Sequence, residues 1–147
     1  PVKGGTKCLV LNARLVWTFA SAYRILKDEK YLKLAKRAYD YFCEYFIDKQ
    51  YGGCYFMLDC KGNAIDDKKF VYGQAFAISA TGDTEARDKA VAIRDLLEQH
   101  AYTPDHPGYI EILARDWSYN PANQGSNINP EAEATKTMNT HLHLIEA

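Results

Sequence analysis

Two stretches of this chain carry the same succession of segments at a constant offset, and such a repeat restricts the fold more than any single residue. "CLVLNARLVWTFASAYRILKD" is apolar on most sides, and "EKYLKLAKRAYDYFCEYFID" after it is amphipathic. "YGGCYFMLDCKGN" then closes the unit around glycines. The same order returns as "KKFVYGQAFAIS", "TGDTEARDKAVAIRDLLEQHA" and "PDHPGYIEILARDW". Asp28 and Asp83, Ala35 and Ala90, and Gly53 and Gly108 stand at matching points, each pair 55 residues apart. A unit of an apolar helix backed by an amphipathic one buries its core only by stacking on its neighbours. The pattern predicts an all-α fold of helical hairpins. They would close into an α/α toroid whose inner helices line a cavity, or form an open α-solenoid that binds protein.

Periodicity assigns faces. Tyr31, Leu34, Ala35, Ala38, Tyr41, Phe42, Tyr45 and Phe46 fall at helical spacing and point inward, with Lys30, Lys33, Lys36, Arg37, Asp40 and Glu44 opposite. Ala90, Ile93, Leu97 and Ala101 are the inward residues of the second outer helix. The first inner helix, apolar nearly all round, predicts burial on more than one face. A third inner helix begins at Lys136, after a polar loop between Tyr119 and Ala134. In it Met138, Leu142 and Ile145 share a side and are expected in the core. The second inner helix is about two turns shorter than the first, as though residues were absent after Ser79. Residues 1–147 read as one partial α/α-toroid domain, a piece or gapped form of a longer chain.

Composition decides less. Net charge of −1 leaves no basic footprint for nucleic acid or an anionic membrane, and no apolar run is long enough to span a bilayer. Cys8, Cys43, Cys54 and Cys60 have neither CxxC spacing nor clustered histidines, which argues against zinc and for reduced thiols in a cytoplasmic protein. The 13% aromatic share, with eleven tyrosines, suits packed helix seams and sugar-binding surfaces alike.

The inner helices carry the candidate chemistry. Arg14, inside "VLNARLVWTF", is costly to bury unless it is paired with a carboxylate from another hairpin or faces a polar cavity. Trp17, three residues on, would present its ring to the same space. Tyr72 and Phe76 share a face by i, i+4 spacing, Gln74 points elsewhere, and taken alone Tyr72 reads as a packing tyrosine before it reads as pocket lining. In the last helix His141 and His143 are roughly 200° apart around the axis, which argues against a local two-histidine metal site. Asn139 and His143 are i, i+4 and share a side with Lys136 and Glu146. His143 with Asn139 is therefore the cavity candidate, and His141 a flanking or structural residue.

In this order, "LNARLVWTFASAYRILKDEKYLKLAKRAYDYF", "YGGCYFMLDCKGN", "KKFVYGQAFAI", "GYIEILARDWS" and "KTMNTHLHLIEA" closely resemble the N-terminal half of the N-acylglucosamine 2-epimerase superfamily, within it the cellobiose 2-epimerases. The resemblance implies an (α/α)6 barrel, here partial. It implies reversible epimerisation at C2 of the reducing-end sugar of a β-1,4-linked disaccharide, without a metal or organic cofactor. It places Arg14 near the C1 and C2 oxygens of the sugar and Tyr72 in the pocket lining. Asn139 and His143 match the Met-Asn-x-x-Leu-His motif, and Glu131 stands where some members have a sugar-contacting aspartate. The histidines that move the C2 proton lie in the family's C-terminal half, so residues 1–147 alone are expected to show no turnover. Within the superfamily the substrate could instead be mannobiose or N-acetylglucosamine, or the reaction an aldose–ketose isomerisation. A glycoside hydrolase would need two carboxylates across its scissile bond. A helical-repeat binding protein would need no convergence of Arg14, Asn139 and His143. Oligomeric state is open.

Overall fold

The computed structural model describes residues 4–79, 84–123 and 135–147. Among these, five α-helices carry the chain: α1 (Leu9–Leu26), α2 (Glu29–Tyr41), α3 (Val71–Ser79), α4 (Thr84–His100) and α5 (Met138–Glu146). Helix α3 packs against both α1 and α5, while α2 backs α1 and α4 backs α3. The inner layer is thus α1, α3, α5, as the alternation of apolar and amphipathic segments requires. None of the described helices is long and apolar enough to cross a membrane. No disulfide joins the four cysteines, and burial pushes the Cys54 thiol up to about 12.

Local signals set the hairpin. Helix α1 stops where Lys27 turns left-handed (φ 56°) and returns its N–H to the Tyr23 carbonyl at 2.8 Å. The Asp28 carboxylate then caps α2 by accepting from the Lys30 N–H at 3.0 Å. The last turn of α2 widens into a π turn, Phe42–Phe46, which sends both of those phenylalanines into the core with their rings 5.7 Å apart. The glycine segment forms β2 (Met57–Leu58) and β3 (Ala64–Asp66), with β1 (Lys7–Cys8) added alongside β2. Lys69 and Phe70, which the sequence reading folded into the second inner helix, are instead strand β4. They pair with β5 (Ile112–Leu113), where the backbone of the next turn offers ladder partners.

The 55-residue repeat is visible bond by bond. The Phe46 carbonyl accepts from the Tyr55 N–H, and the Ala101 carbonyl from the Ile110 N–H, both at 2.9 Å. The Asp48 and Thr103 N–H groups donate to the Gly53 and Gly108 carbonyls at 2.9 and 3.0 Å. Ile47 bridges Cys54 just as Tyr102 bridges Tyr109. Gly53 sits at φ 65°, and a Cβ there would lie 2.6 Å from Trp117 Cζ2 and 3.0 Å from Gln74 Oε1. Gly53→Ala is therefore expected to cost about 1–3 kcal/mol, read from the urea midpoint of unfolding.

Each turn is sealed by the inner helix that follows it. Lys69, two residues before α3, donates to Asp48 at 2.9 Å, and Lys136, two before α5, donates to Thr103. Gln74 accepts from the Cys54 N–H and donates to the Cys54 carbonyl, both at 2.8 Å. At the same place in α5, His141 Nε2 accepts from the Tyr109 N–H at 3.0 Å, and its Nδ1 lies 2.7 Å from the Thr137 carbonyl. A carbonyl only accepts, so Nδ1 must donate to it and Nε2 must stay unprotonated.

A buried ion cluster locks the first turn. Asp48 accepts from Lys69, from both Arg115 Nε and Nη2, and from the Gln50 and Tyr51 N–H groups, at 2.9–3.3 Å. Asp48 and Lys69 side chains are wholly buried, and the ammonium lies over the Tyr55 and Trp117 rings at 5.2 and 5.7 Å. Burial by itself would raise the Asp48 carboxyl, but the hydrogen bonds from Arg115, Lys69 and Gln50 hold it well below the usual carboxylate range.

Two core expectations fail. Met138, Leu142 and Ile145 are 77%, 50% and 83% exposed, and on α1 only Leu9, Ala13 and Val16 are buried. Leu11, Leu15, Ile25 and Leu26 are open to solvent. The reason is geometric: α3 and α2 cover one side of α1, and α3 covers one side of α5, with no described element against the remaining sides. The apolar pattern is that of inner helices, and the neighbours it calls for are not among the described residues.

Candidate functional site

The side chains that project between the inner helices enclose a cavity of about 470 Å³, lined by Ala13, Arg14, Trp17, Thr18, Phe76, His143 and Glu146. That volume suits a small ligand. One register rule builds it. Lys7, Lys69 and Lys136 each precede an inner helix by two residues, and seven positions beyond them stand Arg14, Phe76 and His143. Because adjacent helices pack with these positions level, the three side chains form one row. The Arg14 guanidinium carbon lies 4.6 Å from the Phe76 ring centre, and the Phe76 and His143 rings are 4.5 Å apart.

Tyr72 and Asn139 occupy the row one turn nearer the helix starts. Tyr72 meets the His143 ring edge-on at 5.1 Å and the Phe76 ring at 5.0 Å, so it packs beneath the row rather than lining the cavity. Asn139 is half-buried and is not among the lining residues. Trp17 is 57% exposed and offers its ring to the cavity. Glu131 lies outside the described residues, as do the positions directly after Ser79, where absent residues were inferred. Glu146, a neighbour of His143 on the same helix, faces the cavity, and its carboxylate is 2.9 Å from His143 Nδ1.

Arg14 is the residue on which the alternatives turned. It makes no hydrogen bond or ion pair to any described residue, and its contact is the Phe76 ring. The reading in which it pairs with a carboxylate of another hairpin does not hold among the described residues. All five of its N–H donors are available to a ligand. The two histidines separate as helical geometry requires: His141 is fixed to the Gly108 turn, and His143 lines the cavity. His141→Gln is accordingly expected to stay within about 1 kcal/mol of wild type, because Gln can make the bond Gln74 makes, whereas His141→Leu should lose about 1–3 kcal/mol by orphaning the Tyr109 N–H. Thermal unfolding of both variants checks this.

The arrangement of these helical hairpins is shared with known proteins. The family model described as N-acylglucosamine 2-epimerase (GlcNAc 2-epimerase) matches residues 1–147, and the chain belongs to that family. It is 40% identical over 147 residues to the cellobiose 2-epimerase of Bacteroides fragilis, an alignment covering 95% of this chain and 37% of that protein. The solved cellobiose 2-epimerase of Bacillus thermoamylovorans superposes with a TM-score of 0.91 at 38% identity, over 99% of this chain and 39% of that one. A D-mannose isomerase from Marinomonas mediterranea is 30% identical over 130 residues, 84% of this chain and 32% of that protein. The chain therefore spans roughly a third of the length of the proteins it matches. Its hairpins are part of the (α/α)6-barrel fold of the cellobiose 2-epimerases.

Proposed function

We propose that the whole protein containing this chain is a sugar 2-epimerase that interconverts glucose and mannose at the reducing end of a β-1,4-linked disaccharide. The observation that carries this reading is the shared cavity of Arg14 and His143, with the arginine's donors uncommitted. Ring opening exposes a C1 carbonyl, and removal of the C2 proton then shifts charge onto the C1 oxygen as an enediolate. Arg14 stabilises that oxygen, as a preorganised cation in a partly desolvated site does. His143 exchanges the proton needed for ring opening and closure, since an imidazole serves as acid and base near neutral pH. Trp17 stacks against the sugar, and Asn139 and Glu131 are assigned to substrate binding. Tyr72 supports the His143 ring from below. Return of a proton to the opposite face of C2 completes the inversion.

Glu146 is the one carboxylate lining the cavity among the described residues, which disfavours a hydrolase needing two. The D-mannose isomerase relative favours a second reading, aldose–ketose isomerisation through the same enediolate with the proton returned to C1. The deciding experiment is to incubate the whole protein with cellobiose, mannobiose, N-acetylglucosamine and mannose and to identify each product. Glucosyl-mannose from cellobiose is expected. A ketose product supports the second reading, and no conversion of any sugar overturns both.

A further inference from the structure

We propose that Phe76 is the positioning residue of this cavity, holding Arg14 and His143 in place through its ring so that Arg14 keeps its N–H donors free, while His143 Nδ1 meets Glu146 of its own helix. The proposal rests on the epimerase reading above. Two arginines in this molecule are held in different ways. Arg115, which also lies 5.3 Å from the Tyr55 ring centre, is fixed by Asp48 through Nε and Nη2, so it is paired with a carboxylate that it shares with Lys69 and two of its donors are engaged. Arg14 is held over the Phe76 ring at 4.6 Å. An aromatic face attracts a guanidinium through its quadrupole, leaving the in-plane N–H groups free.

The placement of Phe76 follows from the repeat. It occupies in α3 the position that Arg14 occupies in α1 and His143 in α5, and α3 lies between the two. A polar residue there would be well placed to bond Arg14 or His143 and divert them. A smaller apolar residue would leave both long side chains without a surface to lie against. Phe76 also packs edge-on against Tyr72 at 5.0 Å, which in turn meets His143 at 5.1 Å, so the three rings brace one another. An enediolate oxygen must meet the guanidinium within a fraction of an ångström, and misplacement by about 1 Å costs about 10²-fold in rate.

The test uses the whole protein with cellobiose and two variants, Phe76→Leu, which keeps apolar bulk but loses the ring, and Phe76→Tyr, which keeps the ring. Phe76→Leu is expected to lower kcat by about 10–100-fold with KM within about threefold, and Phe76→Tyr to retain kcat within about threefold. A second readout needs no turnover. In the whole protein, the Arg14 Nε–H proton resonance should lie upfield from ring current, stay there in Phe76→Tyr, and move downfield in Phe76→Leu. An active wild type whose Phe76→Leu variant is equally active sinks the proposal alone, as does an equal loss in both variants. Should Phe76→Leu fail to fold, an Arg14 resonance without an upfield shift in the wild type overturns it, and a shifted one supports it. A wild type that epimerises no sugar removes the reading on which the proposal rests, and the proposal falls with it.

Discussion

Replacing Arg14 with alanine is expected to lower epimerase turnover of the whole protein by at least about 10²-fold while leaving the helical fold in place. The two halves of that expectation have separate grounds. The loss follows because the developing enediolate oxygen needs a cation, and Arg14 is the cation lining the cavity among the described residues. A structural arginine would instead be tied to a carboxylate, as Arg115 is. The intact fold follows because Arg14 is exposed and makes no hydrogen bond or ion pair to any described residue. Its removal orphans nothing, and a surface change of that kind stays within about 0.5 kcal/mol. Lysine at the same position should restore little, because a point charge does not lie flat on the Phe76 ring or present a planar fork. Circular dichroism and steady-state kinetics on one preparation check both halves. A variant with near wild-type kcat removes Arg14 from the chemistry.

The second large effect concerns stability. Asp48→Ala is expected to destabilise the fold by about 3–5 kcal/mol, the range for breaking a buried ion pair by deleting one partner. The cost lies in what is left behind: the Lys69 ammonium stays wholly buried without a counter-charge, and the Gln50 and Tyr51 N–H groups lose their acceptor. Arg115, more than a third exposed, contributes least because water screens it. Replacing Asp48 and Lys69 together with leucine and methionine should cost clearly less than Asp48→Ala alone, since the charge then left without its partner, Arg115, reaches water and none stays buried. Guanidinium unfolding of the single and double variants measures the difference.

The same cluster sets an acid limb. Asp48 titrates below its unfolded value of about 3.9, so its stabilising contribution is full above that value and is lost as pH falls toward the folded one. The gap in unfolding midpoint between wild type and Asp48→Asn is expected to be constant above pH about 5 and to narrow steadily below pH about 4. A gap that holds its width down to pH about 2 would contradict the assignment.

Much of this architecture was legible in the residues, for reasons that also explain what was not. The outer helices follow largely from periodicity: Ile93, Leu97 and Ala101 are buried and the charges of α2 are exposed, although Leu34 and Tyr45, which spacing places inward, are 38% and 39% exposed at the edge of that face. The separation of His141 from His143 follows from helix geometry, and the bond from Tyr109 to His141 gives it a cause. The row of Arg14, Phe76 and His143 is hidden in the sequence because the glycine turns repeat at 55 residues and the inner helices do not. The inner-helix lysines recur at 62 and then 67, since the connections between turn and helix differ in length. Lys7, Lys69 and Lys136 are the register that marks Phe76. The Asp48, Lys69 and Arg115 cluster joins residues 21 and 67 apart through packing alone, and no local pattern marks it. The inward faces of α1 and α5 show the reverse case. Their apolar pattern reports partners that a periodicity argument cannot locate.

The central claim, that this cavity serves proton transfer at C2 of a reducing sugar, has one direct test. The whole protein is incubated with cellobiose in deuterated water, and the product is followed by proton NMR. The account predicts glucosyl-mannose with deuterium at C2 of the reducing residue, because the proton that leaves as the enediolate forms is replaced from solvent. Absence of the mannose epimer would contradict it.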